Sequence, residues 1–76
     1  MALSDRQALQ INIEGRALEK AGRIHEAITL YESGVARGTD TPATYKRLRI
    51  LYRKLKRPDD VERIKALMVE QWGHWW

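Results

Sequence analysis

Slid along itself by 34 residues, the chain falls apolar on apolar: Ile11 on Tyr45, Leu18 on Tyr52, Ala21 on Leu55, Ala27 on Val61, Leu30 on Ile64 and Val35 on Val69. A recurrence of that length within 76 residues implies two similar units that bury their apolar faces by stacking on each other. No segment alternates with the two-residue period of a strand, so the repeating unit is expected to be helical.

Local signals divide each unit into two helices. Ser4 and Gln7 have capping-box spacing, and Ala8, Ile11, Leu18 and Ala21 then recur at helical intervals, with Gly15 interrupting the stripe; the spacing predicts a first helix over about 5–20. Gly22 supplies a left-handed stop. A second stripe of Ile24, Ala27, Ile28, Leu30, Tyr31 and Val35 predicts a helix over about 24–36, ended near Gly38. Thr41 before Pro42 reads as an N-cap followed by proline at the first helical position, opening a third helix over about 42–56 with Tyr45, Leu48, Leu51, Tyr52 and Leu55 on one side. Pro58 cannot continue that helix but can begin another, and Asp59, Asp60 and Glu62 place negative charge in its first turn, where the helix dipole favours it. This fourth helix is expected over about 58–72, burying Val61, Ile64, Leu67, Met68 and Trp72.

Within the first unit, GRIHEAITLYESG (22–34) carries glycine, alanine and tyrosine at set distances, and Gly15 precedes it. Small residues at Gly15 and Ala27 allow two antiparallel helices to approach closely, with Tyr31 filling the space beside them. With two helices per 34 residues, the chain resembles the tetratricopeptide repeat family over nearly its whole length, as two repeats, about 8–41 and 42–72, followed by a tail, 73–76. The match is uneven. The first repeat has Gly15, Ala27 and Tyr31 but Ile11, Glu14 and Leu18 where an aromatic, leucine and tyrosine are usual. The second has Tyr45, Leu48 and Tyr52 but Arg49, Val61 and Lys65 in the glycine, alanine and second aromatic positions. Thr39 stands where a closing proline is common, with Pro42 close by. The resemblance implies one all-α domain of two antiparallel helical hairpins, four helices in all, stacked as a fragment of a right-handed superhelix.

Composition narrows function further. A chain of 76 residues buries only about 60% of the surface its unfolded form exposes, which leaves a thin core and too little chain to enclose a substrate pocket. Cysteine is absent, which removes disulfides, thiolate catalysis and the usual structural zinc sites and fits a reducing, cytoplasmic setting. The first ten residues show no signal-peptide pattern, and no stretch reaches the roughly 20 apolar residues that cross a bilayer, so no membrane partner is expected. His25 and His74 lack neighbours for a metal site. Asp59 and Asp60, adjacent on a helix, point in different directions and do not form a catalytic pair. With no phosphate loop and no nucleophile elbow either, neither catalysis nor a cofactor is expected.

Charge points instead to a partner. The net charge of +4 is local: residues 41–57 hold seven basic side chains and no acidic one, whereas the segments on either side are weakly negative. Lys46, Arg49, Arg53 and Lys56 follow one side of the third helix, Arg47 and Lys54 the other, and Ile50 lies among them. In the tetratricopeptide family the first helix of each repeat lines a groove that holds an extended peptide. The matching positions are Asn12, Arg16 and Lys20 with Lys46, Ile50, Arg53 and Lys54, a basic set expected to take an acidic peptide segment. The asparagine pair and third repeat of the family's carboxylate-gripping members are missing. In the tail QWGHWW, Trp72 is expected within the fourth helix, while Trp75 and Trp76 are expected either to fold back as a cap, to join a second subunit or to form a separate ligand site. The leading expectation is a protein-binding adaptor. Two others stand beside it: nucleic-acid binding through residues 34–57, which superficially resemble a helix-turn-helix but with too long a connection, and a self-assembling structural piece joined through its tryptophans.

Overall fold

The computed structural model describes residues 3–76. Four helices make up the fold: α1 (Asp5–Lys20), α2 (Ile24–Ala36), α3 (Pro42–Lys54) and α4 (Pro58–Trp72). Packing follows chain order, α1 on α2, α2 on α3 and α3 on α4, so that the two hairpins meet across α2 and α3.

The start of α1 is the capping box read from the sequence. Ser4 Oγ accepts the Gln7 N–H at 3.2 Å, and the Ser4 N–H donates to Gln7 Oε1 at 3.1 Å. Pro42 and Pro58 open α3 and α4 as expected. At Thr41 the expectation needs correcting, because its hydroxyl makes no capping bond. Its own N–H is instead held by Thr39 Oγ1 at 3.3 Å, in a turn whose Thr39 is buried. Ala21, placed on the apolar stripe, is the exposed C-cap of α1. The third helix stops at Lys54, two residues earlier than anticipated.

That early stop carries the repeat into the backbone. α1 ends with the Gly22 N–H on Glu19 C=O (3.0 Å) and the Arg23 N–H on Leu18 C=O (2.9 Å), the paired bonds of a Schellman motif. α3 ends with the same pair 34 residues on, Lys56 N–H on Arg53 C=O (3.1 Å) and Arg57 N–H on Tyr52 C=O (2.9 Å). Both motifs need a left-handed residue: Gly22 has φ 78°, and its counterpart Lys56 has φ 57°. A side chain in that region costs about 1–2 kcal/mol, partly offset by the entropy that glycine loses on folding. Lys56→Gly should therefore raise the unfolding free energy by about 0.5–1 kcal/mol, measured by urea denaturation. A loss of stability would mean that the Lys56 side chain itself holds the turn.

The core runs through all four helices as Ile11, Ala27, Ile28, Tyr31, Tyr45, Leu48, Leu51, Tyr52, Val61, Ile64 and Met68. Gly15 and Tyr31 make the close approach that the spacing implied, since a Cβ on Gly15 would fall inside the Tyr31 ring at Cε1 and Cζ. Tyr45 joins the α2–α3 connection to α4: its hydroxyl donates to Thr39 C=O at 2.8 Å and accepts from Gln71 Nε2 at 2.6 Å. Trp72 lies half-buried, edge-on to the Tyr45 ring at 5.2 Å, and Trp76 packs edge-on to Trp72 at 5.4 Å. The tail thus folds back on its own chain.

Candidate functional site: the basic faces of α3

α3 buries Thr44, Tyr45, Leu48, Leu51 and Tyr52 against α2 and α4, which turns its cations outward. Their surroundings differ. Lys46 lines a cleft of about 270 Å³ together with Asn12, Arg16, Tyr31, Ala43 and Arg47, between α1 and α3. Arg53 lines a separate recess of about 280 Å³ with Arg49, Lys56, Arg57, Lys65 and Trp75, between α3 and α4. The structure therefore brings Asn12, Arg16 and Lys46 together and places Arg53 on the opposite flank. Lys54 and Lys20 are exposed and line neither space. Ile50, half-buried and outside the core, sits between Lys46 and Lys54 at four-residue intervals on one helix line.

Two of these polar groups hold the hairpins together. Asn12 Oδ1 accepts from Thr44 Oγ1 at 2.6 Å, linking α1 to α3. Arg47 is not available on the outer flank: its Nη2 bonds Glu19 Oε1, with Nε on Oε2 at 3.2 Å, and the Tyr31 hydroxyl donates to the same Oε2 at 2.6 Å. Tyr31, Glu19 and Arg47 thus form one chain of bonds across α2, α1 and α3. Burial alone would raise the Glu19 carboxyl, but the hydrogen bonds from Arg47 and Tyr31, with the positive charge of Arg47, outweigh it and hold that carboxyl below its usual range. The Tyr31 phenol is pushed well above its ordinary value by burial and by its bond to Glu19. On the far side, Arg63 of α4 bonds Glu32 of α2 at 2.9 Å.

Asp60, one of the adjacent aspartates, pairs with Arg57 at 2.9 Å and with Arg63 at 3.3 Å, so its charge is committed to ion pairs. Arg16, Lys46, Arg49, Arg53, Lys54 and Lys56 make no ion pair among the described residues. Arg49 also buries its Nε without a hydrogen-bond partner. Trp75 caps this flank, its indole 4.1 Å from Lys65 Nζ and 5.4 Å from the Arg49 guanidinium carbon. Spacing indicated that α3 is basic, but not that its cations would divide between two spaces or that Arg47 would be neutralised by a residue 28 positions earlier. The one usable signal for the Trp75 contact was the 34-residue shift, which pairs Gly15 with Arg49 and Tyr31 with Lys65 and so leaves a gap where the first hairpin has an aromatic ring.

Among the described residues no helix is long and apolar enough to cross a membrane. Compared with known proteins, the chain matches no family pattern, no curated protein and no solved structure.

Proposed function

We propose that the chain is a non-catalytic interaction module of tetratricopeptide-repeat type that binds an acidic, extended segment of another protein across α1 and α3. The observation that carries this reading is the cleft between those helices. Arg16 and Lys46 line it without an ion pair, beside Asn12 and Ala43. Lys46, Ile50 and Lys54 extend the surface as a line of cation, apolar residue and cation, a pattern that suits a strand-like peptide with alternating acidic and apolar side chains. Exposed cations of this kind act mainly on encounter rate and partner sign.

The test is fluorescence anisotropy with a labelled, proline-containing peptide rich in aspartate and glutamate, compared between the native chain and Arg16→Glu/Lys46→Glu. Affinity should fall by about tenfold or more in the variant and decline with added salt. Unchanged affinity would remove the groove. Tighter binding to duplex DNA than to the peptide, with a steep salt slope, would favour the nucleic-acid alternative.

A further inference from the structure

The two hairpins are built alike, yet only one of them is covered. On the first, α3 lies over the flank formed by Asn12, Gly15, Glu19 and Tyr31, with Thr44 bonding Asn12 and Arg47 bonding Glu19. Thirty-four residues on, the same backbone positions are Lys46, Arg49, Arg53 and Lys65, and no helix lies over them among the described residues. What fills the place is the recess of about 280 Å³ with Trp75 at its edge. Val69 shows the consequence: its counterpart Val35 packs against the core, whereas Val69 is 47% exposed.

Polarity is reversed between the two flanks. The covered flank offers a carboxylate, Glu19, which takes a guanidinium from the next helix. The open flank offers Arg53 in that position, with Arg49, Lys56, Arg57 and Lys65 around it and Glu62 as the acid lining the recess. Arg49 contributes a buried N–H that has no acceptor. A helix seated there in the manner of α3 meets cations where α3 meets an acid, and the unmet donor and the surplus charge call for carboxylates.

We propose that the open α3–α4 flank is a docking socket for an acidic amphipathic helix of a partner protein. That helix lies as α3 lies on the first hairpin, with glutamate or aspartate at the place of Arg47 and apolar residues at the places of Leu48 and Leu51. The indole of Trp75, 46% exposed and in contact with two cations, is the edge that the incoming apolar face covers. This socket is separate from the α1–α3 cleft. Arg49 and Lys65 line only the former and Arg16 only the latter, while Lys46 lines the cleft from the position equivalent to Asn12.

The probe is a lactam-stapled peptide with the α3 sequence carrying Arg47→Glu and glutamine at its other basic positions except the one matching Lys46, made glutamate. Two controls accompany it, the same composition interrupted by proline, and a version retaining arginine at the Arg47 place. Titration is followed by tryptophan emission, with Trp75→Phe identifying the responding ring. The stapled acidic helix should shift that emission and bind about tenfold more tightly than either control. Arg49→Glu/Lys65→Glu should weaken it by about tenfold or more, while Arg16→Glu, which lies in the α1–α3 cleft alone, leaves it unchanged. Should the first pair unfold by circular dichroism, Arg49→Gln/Lys65→Gln serves instead. Equal binding of the proline control, or loss in the Arg16→Glu variant alone, would overturn the socket and leave only the groove. Concentration-dependent association of the chain itself, abolished by Arg49→Glu/Lys65→Glu in equilibrium sedimentation, would replace the partner helix by a second copy.

Discussion

Gly15→Ala should lower the unfolding free energy by about 2 kcal/mol and the melting temperature by roughly 8–16 °C, although alanine is the better helix former. Two effects oppose each other at this position. Alanine in a helix interior gains about 1 kcal/mol over glycine. The added methyl, however, would occupy the place of the Tyr31 ring, which is fully buried and tied to Glu19 through its hydroxyl. To make room the ring must leave its packed position, forfeiting part of the 3–5 kcal/mol or so that a buried aromatic contributes, and loosening a hydrogen bond. The second effect wins. In a Tyr31→Leu background the ring atoms that collide are gone, so the same Gly15→Ala change should become stabilising by about 1 kcal/mol. That reversal of sign, read from urea unfolding of the four proteins, is the decisive measurement. If Gly15→Ala stabilises both backgrounds, the close approach does not constrain the fold.

The junction between hairpins gives the second large effect. Arg47→Met leaves the Glu19 carboxylate, whose side chain is only 9% exposed, without its cation and should cost about 2–3 kcal/mol at neutral pH. The same contact makes stability depend on pH. The Glu19 carboxyl is held below its ordinary value of 4.5 in the folded chain, so its contribution is complete above that value and is lost as the pH falls through the lower, folded one. Tyr31 titrates with the opposite sense: its phenol is raised from 10.0, so its contribution is complete below pH 10 and fades as the pH climbs toward the folded value. Tyr45 and Tyr52, raised chiefly by burial, add to that alkaline limb. Glu19→Gln should flatten the acid limb of a stability-against-pH curve, measured by thermal unfolding between pH 3 and 7 or so. An acid limb unchanged in Glu19→Gln would assign it to other carboxylates and reduce the junction to packing.

Much of the architecture is legible from residues close together in the chain. Ser4 with Gln7, Gly22, Gly38, Pro42 and Pro58 each act on their own few peptide groups and mark helix starts and stops. Lys56 hid the end of α3 because the left-handed residue there is not glycine, and only the 34-residue comparison with Gly22 exposes it. The candidate site was less accessible. Asn12, Arg16 and Lys46 do share a cleft, but Arg53 faces another, and Asn12 is half engaged in holding α3.

Most helix limits and most buried faces were determined by the sequence alone, because caps, turns and 3.6-residue periodicity operate over a few neighbouring residues; the end of α3 and the exposed Ala21 are the exceptions. Which cations of α3 are neutralised, and which are left facing solvent, was decided only by the tertiary structure. Arg47 finds Glu19 because the packing of α1 against α3 sets that distance, and Arg49 meets Trp75 because the tail returns over α3; a Coulomb interaction depends on separation in space rather than along the chain.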